Sequence, residues 1–274
     1  MNPIDKIISL AIKEDGCLED ITSRAIIPAD LFADAAITAR QELVLSGALP
    51  AARVYDMLDP AVTIEFNMND GSLAQKGDVI ANVSGPTLSI LAGERLVLNF
   101  LQQLSGVATL TREFCKAIEG SSAKILDTRK TVPGMRLLQK QAVVHGGGAN
   151  HRMSLSDAIL IKDNHIISAG SITRAVELAR EKTDGTLEVE VEVENLEGVR
   201  EALEAGADII LLDNMTTELM SEAVKLINGK AKAEASGSIS PSNVRQVAMT
   251  GVDRISIGKL THSAPACDIS MDFS

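Results

Sequence analysis

Between residues 124 and 257, short apolar runs alternate with amphipathic helical patterns, and this alternation limits the fold of the 274-residue chain more than any other feature. The apolar runs cover 124–128, 158–161, 187–193, 209–212, 232–235 and 255–257, and helical spacing fills 172–182, 196–205, 217–227 and 242–249. Strands separated by helices predict parallel pairing through crossovers, in either a barrel or a doubly wound sheet. Six strands fall short of the eight that close a regular barrel. Ala205-Gly-Ala-Asp-Ile-Ile-Leu-Leu-Asp213 and Thr250-Gly-Val-Asp-Arg-Ile-Ser-Ile-Gly258 share one helix-exit and strand-entry design.

The N-terminal part reads differently. Ile4, Ile7, Ile8 and Ala11 stand at helical spacing over 3–14, with Asn2 as N-cap and Pro3 in the first turn. Extended runs follow at 35–38, 43–45, 62–68 and 79–83, punctuated by Gly47, Asp70-Gly71, Gly77-Asp78 and Gly85-Pro86. This predicts a small strand-rich domain. From Leu88 the sequence favours helix, passing Ser105-Gly106 into a second helical stretch that ends near Gly120, and the domain boundary is expected there.

Composition narrows the chemistry. A net charge of -11 opposes the phosphate attraction on which nucleic-acid binding rests, and one Tyr, no Trp and five Phe leave few platforms for stacked bases. The segment 124–165 is the exception. It carries Lys124, Arg129, Lys130, Arg136, Lys140, Arg152 and Lys162 against Asp127, Asp157 and Asp163, a local cationic region suited to a small, highly anionic substrate. Cys17, Cys115 and Cys267 have neither disulfide-framework nor zinc-ligand spacing. No apolar run approaches the roughly 18 residues that span a bilayer, and no signal pattern opens the chain, so the expectation is a cytoplasmic protein without a membrane partner.

Polar residues of the alternating region collect at strand C-terminal ends: Arg129 and Lys130, Lys162, Asp213, Ser236-Gly237, and Gly258-Lys259. In parallel barrels that rim carries the active site. In Glu188-Val-Glu-Val-Glu-Val-Glu194, alternation sends the glutamates to one face and the valines to the other. In a parallel sheet the glutamates would face the interior, where lysine, arginine or a divalent cation must compensate them. An antiparallel strand with one wet face is the alternative. A hard cation such as Mg²⁺, shared with substrate phosphates, suits one or two such carboxylates. His145-Gly-Gly-Gly-Ala and Ser236-Gly-Ser admit close approach of backbone N–H groups to an anion, though glycine runs also mark plain turns. By local sequence His151-Arg152 is either an anion-binding pair or a solvated loop, His145 and His165 read as structural, and Arg95 as a surface arginine on an apolar helix.

Several longer stretches carry a resemblance. Gly93-Glu-Arg-Leu-Val-Leu-Asn-Phe-Leu-Gln-Gln-Leu-Ser-Gly-Val-Ala-Thr109, Ile125-Leu-Asp-Thr-Arg-Lys-Thr-Val-Pro-Gly134, His145-Gly-Gly-Gly-Ala-Asn-His-Arg152, Leu160-Ile-Lys-Asp-Asn-His165 and Ile210-Leu-Leu-Asp-Asn-Met215 resemble the quinolinate phosphoribosyltransferases, from Glu14-Asp15 to Thr261-His-Ser-Ala-Pro265. The resemblance implies an α/β fold. An N-terminal α/β sandwich domain (1–98, joined by a returning strand at 266–274) would precede an incomplete, open α/β barrel of parallel strands (99–265). The implied activity joins quinolinate to phosphoribosyl pyrophosphate with loss of CO₂, giving nicotinate mononucleotide for NAD synthesis. The implied assembly is a homodimer with shared sites, open to further association.

Carried over by position, Arg129, Arg152 and Lys162 would bind the quinolinate carboxylates with His151 beside them, and Arg95 would reach the neighbouring subunit's site. Lys130 would contact phosphoribosyl pyrophosphate, Glu192 and Asp213 its ribose hydroxyls and Mg²⁺, and Ser236, Gly237, Ser238 and Gly258 its 5′-phosphate. Thr128 and His262 complete the implied substrate set. Lys162, Glu192, Asp213 and Lys130 are the implied catalytic groups. Ser238 departs from the family's Ser-Gly-Gly. A paralogous phosphoribosyltransferase-like protein linked to molybdenum transport shares much of the barrel, and Leu160-Ile-Lys-Asp-Asn-His165 favours the quinolinate enzyme. From the residues alone, Lys162 at a strand end also suits a Schiff-base lyase.

Overall fold

The computed structural model describes residues 2–183 and 185–274. In chain order the elements are α1 (Pro3–Asp15), α2 (Ile21–Ile26), β1 (Phe32–Ala39), β2 (Leu43–Val44), α3 (Ala48–Leu58), β3 (Thr63–Phe66), β4 (Leu73–Ala74), β5 (Val79–Pro86), α4 (Thr87–Ala117), β6 (Lys124–Leu126), α5 (Arg136–His145) and β7 (Ile159–Ile161). Then come α6 (Asp163–Ala169), α7 (Ile172–Lys182), β8 (Val189–Val193), α8 (Leu196–Glu204), β9 (Ile209–Asp213), α9 (Thr217–Ile227), β10 (Lys232–Ser236), α10 (Val244–Ala248), β11 (Arg254–Ser256), α11 (Lys259–His262) and β12 (Ile269–Phe273). They fall into two compact units. One comprises the chain up to Arg112 with Thr131–Gly147 and Leu260–Ser274; the other comprises Glu113–Lys130 and Gly148–Lys259. The boundary expected between 98 and 99 lies inside α4, which continues unbroken for 31 residues.

In the first unit an antiparallel sheet is ordered β12-β1-β5-β3, so the last strand of the chain pairs with the first. Strand β1 alternates, with Ala35, Ile37 and Ala39 buried between more exposed neighbours, as a strand with one face on the core requires. Helix α4 supplies much of the core through Val97, Leu101, Leu104 and Ala108. Its glycines mark close approaches. A Cβ on Gly106 would lie 2.0 Å from the Pro265 carbonyl oxygen, and one on Gly93 would lie 2.5 Å from the Tyr55 ring. The helix therefore accepts residues of poor helical propensity because other chain segments pack directly against its backbone. It also runs straight through Ser105, whose hydroxyl accepts from the Ser46 N–H at 3.0 Å and donates to the Ser46 carbonyl at 3.2 Å.

The second unit is an open α/β barrel of six parallel strands, ordered β6-β11-β10-β9-β8-β7. The outer strands β6 and β7 do not pair with each other; a single parallel bridge, Leu126 to Ala149, extends the sheet beyond β6. Strand β8 belongs to this parallel sheet, with Val189, Val191 and Val193 buried. The repeated Asp of the two similar motifs has a common task. Asp208 Oδ2 accepts from the Val189 N–H at 2.7 Å and Asp253 Oδ2 from the Ala233 N–H at 2.8 Å, so each satisfies the start of the neighbouring strand. Among the described residues no helix is long and apolar enough to cross a membrane.

Candidate active site

A cavity of about 610 Å³ opens at the C-terminal ends of the second unit's strands. Its lining includes Thr128, Arg129 and Lys130 after β6, Lys162 after β7, Glu192 on β8, Asp213 ending β9, Ser236, Gly237 and Ser238 at the end of β10, and His151 and Arg152 from the loop after α5. Eleven of the fourteen residues implied by resemblance therefore share one cavity. Gly258 follows β11 but is not among the lining residues. Arg95 and His262 belong to the first unit and are exposed, His262 sharing a 2.6 Å hydrogen bond with Ser263.

The strand of glutamates explains its own charge balance. Glu188 and Glu194 lie just outside β8 and are exposed, Glu188 pairing with Lys232 at 3.2 Å. Only Glu190 and Glu192 face inward. Glu192 pairs with Lys162 across from β7, and Glu190 Oε2 lies 3.1 Å from His151 Nε2. Lys162 thus supplies the compensation expected for Glu192, whereas Glu190 is met by an imidazole rather than by a lysine or arginine.

Four cationic side chains, Arg129, Lys130, Arg152 and Lys162, line the cavity against two carboxylates, Glu192 and Asp213. Burial, and then the positive charge of Arg129 nearby, pull the Arg152 guanidinium below its ordinary pKa, while Glu190 and Asp157 oppose them. An anion between the two guanidinium groups would relieve that repulsion, and each can meet a carboxylate edge-on with two hydrogen bonds. Asp157 also ties the neighbouring loop by accepting from the Met153 and Ser154 N–H groups at 2.8 and 2.9 Å.

Beyond the residues implied by resemblance, Leu160, Leu211, Ser256 and Asn214 also line the cavity. Asn214 is the most consequential. Its backbone is left-handed (φ 52°), its Nδ2 donates to Asp213 Oδ2 at 2.9 Å, and its Oδ1 accepts from the Ser238 hydroxyl at 3.3 Å. A Cβ on Gly237 would sit 2.2 Å from that Oδ1, and Gly237 has φ 91°, so glycine is required there on both counts. Ser238 adopts the left-handed region at φ 54°, which costs a non-glycine residue about 1–2 kcal/mol. Its hydroxyl contact to Asn214, and the hydrogen bond from Asn243 Nδ2 to its carbonyl at 3.0 Å, hold it. The sequence signal for Asn214 is its place directly after the strand-ending Asp213 in Ile210-Leu-Leu-Asp-Asn-Met215.

His145 serves the first unit, where its Nδ1 shares a 2.9 Å hydrogen bond with the Ser46 hydroxyl. His165 Nδ1 accepts from the Lys162 N–H at 3.0 Å and caps α6. Both act structurally, in line with the sequence reading.

Residues 107–272 match the family model of the quinolinate phosphoribosyl transferase C-terminal domain, and residues 20–105 that of the N-terminal domain. The chain belongs to the quinolinate phosphoribosyltransferase family. A probable carboxylating nicotinate-nucleotide pyrophosphorylase of Bacillus subtilis is 42% identical over 98% of this chain and 93% of its own length. The mitochondrial decarboxylating quinolinate phosphoribosyltransferase 2 of Nicotiana glauca is 42% identical over 98% of this chain and 81% of its own. The solved nicotinate-nucleotide pyrophosphorylase of Francisella tularensis superposes with a TM-score of 0.96 at 41% identity, covering 100% of this chain and 96% of that one. The open barrel and the antiparallel N-terminal sheet are thus those of a quinolinate phosphoribosyltransferase.

Proposed function

We propose that the chain converts quinolinate and phosphoribosyl pyrophosphate into nicotinate mononucleotide, pyrophosphate and CO₂ in de novo NAD synthesis. The observation that carries this reading is the gathering of Arg129, Arg152, Lys162 and Lys130 with Glu192 and Asp213 in one cavity at the strand ends. Three cations suit a planar dicarboxylate, and Lys130, whose N–H is tied to Thr128 Oγ1 at 3.0 Å, stands beside them for the pyrophosphate. The Ser236-Gly237-Ser238 turn takes the 5′-phosphate.

Glu192 and Asp213 fit a Mg²⁺ ion. They are two carboxylates on one cavity, too few for a cage made by the protein alone, as expected for an ion that completes its shell with phosphate oxygens. Such an ion, held there, would supply charge neutralisation for the pyrophosphate leaving group. The bond from ribose C1 to the pyrophosphate oxygen breaks, and Glu192 stabilises the oxocarbenium-like ribose electrostatically. The pyridine nitrogen bonds to C1, and the adjacent carboxylate leaves as CO₂. The electron pair left on the ring carbon takes a proton, for which Lys162 is the candidate donor. Substrate positioning by the guanidinium groups supplies much of the rate.

We place the enzyme in the cytoplasm as a homodimer, Arg95 of one subunit completing the site of the other. Incubation with quinolinate, phosphoribosyl pyrophosphate and Mg²⁺ should yield nicotinate mononucleotide. No product under conditions where both substrates bind would refute the assignment.

A further inference from the structure

Beneath the cavity lies a second set of charged groups that the reaction scheme does not use. Glu190 and Glu234 stand on alternate strands, β8 and β10, each two residues before a cavity-lining side chain, Glu192 and Ser236. They therefore occupy the next layer down in the barrel interior. Both carboxylates are buried, Glu234 completely. Their shared neighbour is His151, whose Nε2 lies 3.1 Å from Glu190 Oε2 and 3.4 Å from Glu234 Oε1. Arg254 Nη1 approaches Glu234 Oε2 at 3.9 Å.

The other edge of the His151 ring faces its own neighbour. The Arg152 backbone N–H donates to His151 Nδ1 at 2.8 Å, and the His151 backbone N–H donates to the buried Asp127 Oδ1 at 2.9 Å. The Arg152 guanidinium then reaches the Ala158 carbonyl at 2.9 Å. His151 and Arg152 also line a second cavity of about 380 Å³ with Glu188, Glu190 and Arg254, so these two residues form the partition between the two spaces.

We propose that Glu190 and Glu234 are positioning residues for quinolinate: they fix the His151 imidazole with its proton on Nε2, and through it the Arg152 main chain and the guanidinium that meets the substrate carboxylate. Burial opposes charge on the ring and the two glutamates favour it, toward a pKa of about 9, but a doubly protonated ring would turn an Nδ1–H against the Arg152 N–H 2.8 Å away. The hydrogen bond from Arg152 decides where the proton sits, because an N–H donor 2.8 Å away requires a lone pair on Nδ1. The same requirement opposes a rival reading. His151, Glu190 and Glu234 form a group of potential metal ligands with their ligand atoms within 4.8 Å. A metal on Nε2 would leave the ring proton on Nδ1, facing the Arg152 N–H. Arg254 already brings positive charge to Glu234.

The proposal rests on the quinolinate reading for its kinetic arm, and its spectroscopic arm is independent of turnover. In ¹⁵N-histidine-labelled wild-type protein, His151 should show an unprotonated Nδ1 and a protonated Nε2. Glu190→Gln and Glu234→Gln should perturb that pattern and lower kcat/KM for quinolinate by roughly ten- to a hundredfold, chiefly through KM, with KM for phosphoribosyl pyrophosphate little changed. Glu234→Asp keeps the charge with a shorter reach. It should give an intermediate loss and covers the case in which the glutamine variant fails to fold. A wild-type His151 protonated on Nδ1, variants with unaltered quinolinate KM, or a stoichiometric metal lost on Glu234→Gln would each overturn it.

Discussion

Lys162, at the end of β7, and Glu192, on the adjacent β8, pair directly within the cavity. Each therefore fixes the other before either meets a substrate, and the proposed reaction requires both to be redirected, Lys162 toward quinolinate and Glu192 toward the ribose. Lys162→Ala and Glu192→Gln should each lower kcat by roughly a hundredfold or more, the scale of losing one electrostatic contact to a transition state. Because the two groups interact, the double variant should lose less than the sum of the single losses in free energy. Steady-state kinetics on the four proteins checks both statements, and full additivity would deny the coupling.

Arg152→Lys should damage quinolinate binding despite keeping the charge. A lysine cannot make two parallel hydrogen bonds to a carboxylate, and a charged hydrogen bond is worth about 1.5–3 kcal/mol. The expected result is a quinolinate KM raised about tenfold or more with KM for phosphoribosyl pyrophosphate near wild type. Initial rates with each substrate varied separately measure it.

Gly106→Ala should destabilise the first unit although alanine is the better helix former. Its Cβ would meet the Pro265 carbonyl oxygen at 2.0 Å, so the last segment of the chain must move. The loss should be at least the 1–3 kcal/mol typical of overpacking, read from urea unfolding. An unchanged midpoint would show that this segment yields freely.

Much of this architecture was legible in the residues themselves, and what was not has physical causes. The six parallel strands announced themselves because they are short and largely apolar and most are separated by helical spacing, and the valines of β8 fixed which face its glutamates take. Helices α3 and α5 were not foreseen. Helix α5 buries Gln139 and Lys140 among its apolar residues, and Gln139 is satisfied by the Val132 N–H and the Thr261 carbonyl, partners distant in part from its own turn. The division within α4 was hidden for the opposite reason, since a continuous helix gives no local signal of where packing partners change. At the site, charged strand ends exposed Arg129, Lys130, Lys162 and Asp213, while Asn214 escaped notice because its role depends on a left-handed backbone.

The proposed sharing of sites between subunits gives a prediction of its own. Arg95→Ala and Lys162→Ala proteins, each nearly inactive alone, should recover part of the activity when mixed and allowed to exchange subunits. Activity in the mixture, with exchange followed by mass spectrometry, checks it; no recovery despite exchange would confine Arg95 to its own chain.

The most direct test of the central claim follows both leaving groups at once. With quinolinate labelled in the carboxylate next to the ring nitrogen, the enzyme, phosphoribosyl pyrophosphate and Mg²⁺ should release labelled CO₂ and pyrophosphate in equal amounts, matched by nicotinate mononucleotide. Pyrophosphate release without labelled CO₂, or no release of either with both substrates bound, would contradict the account.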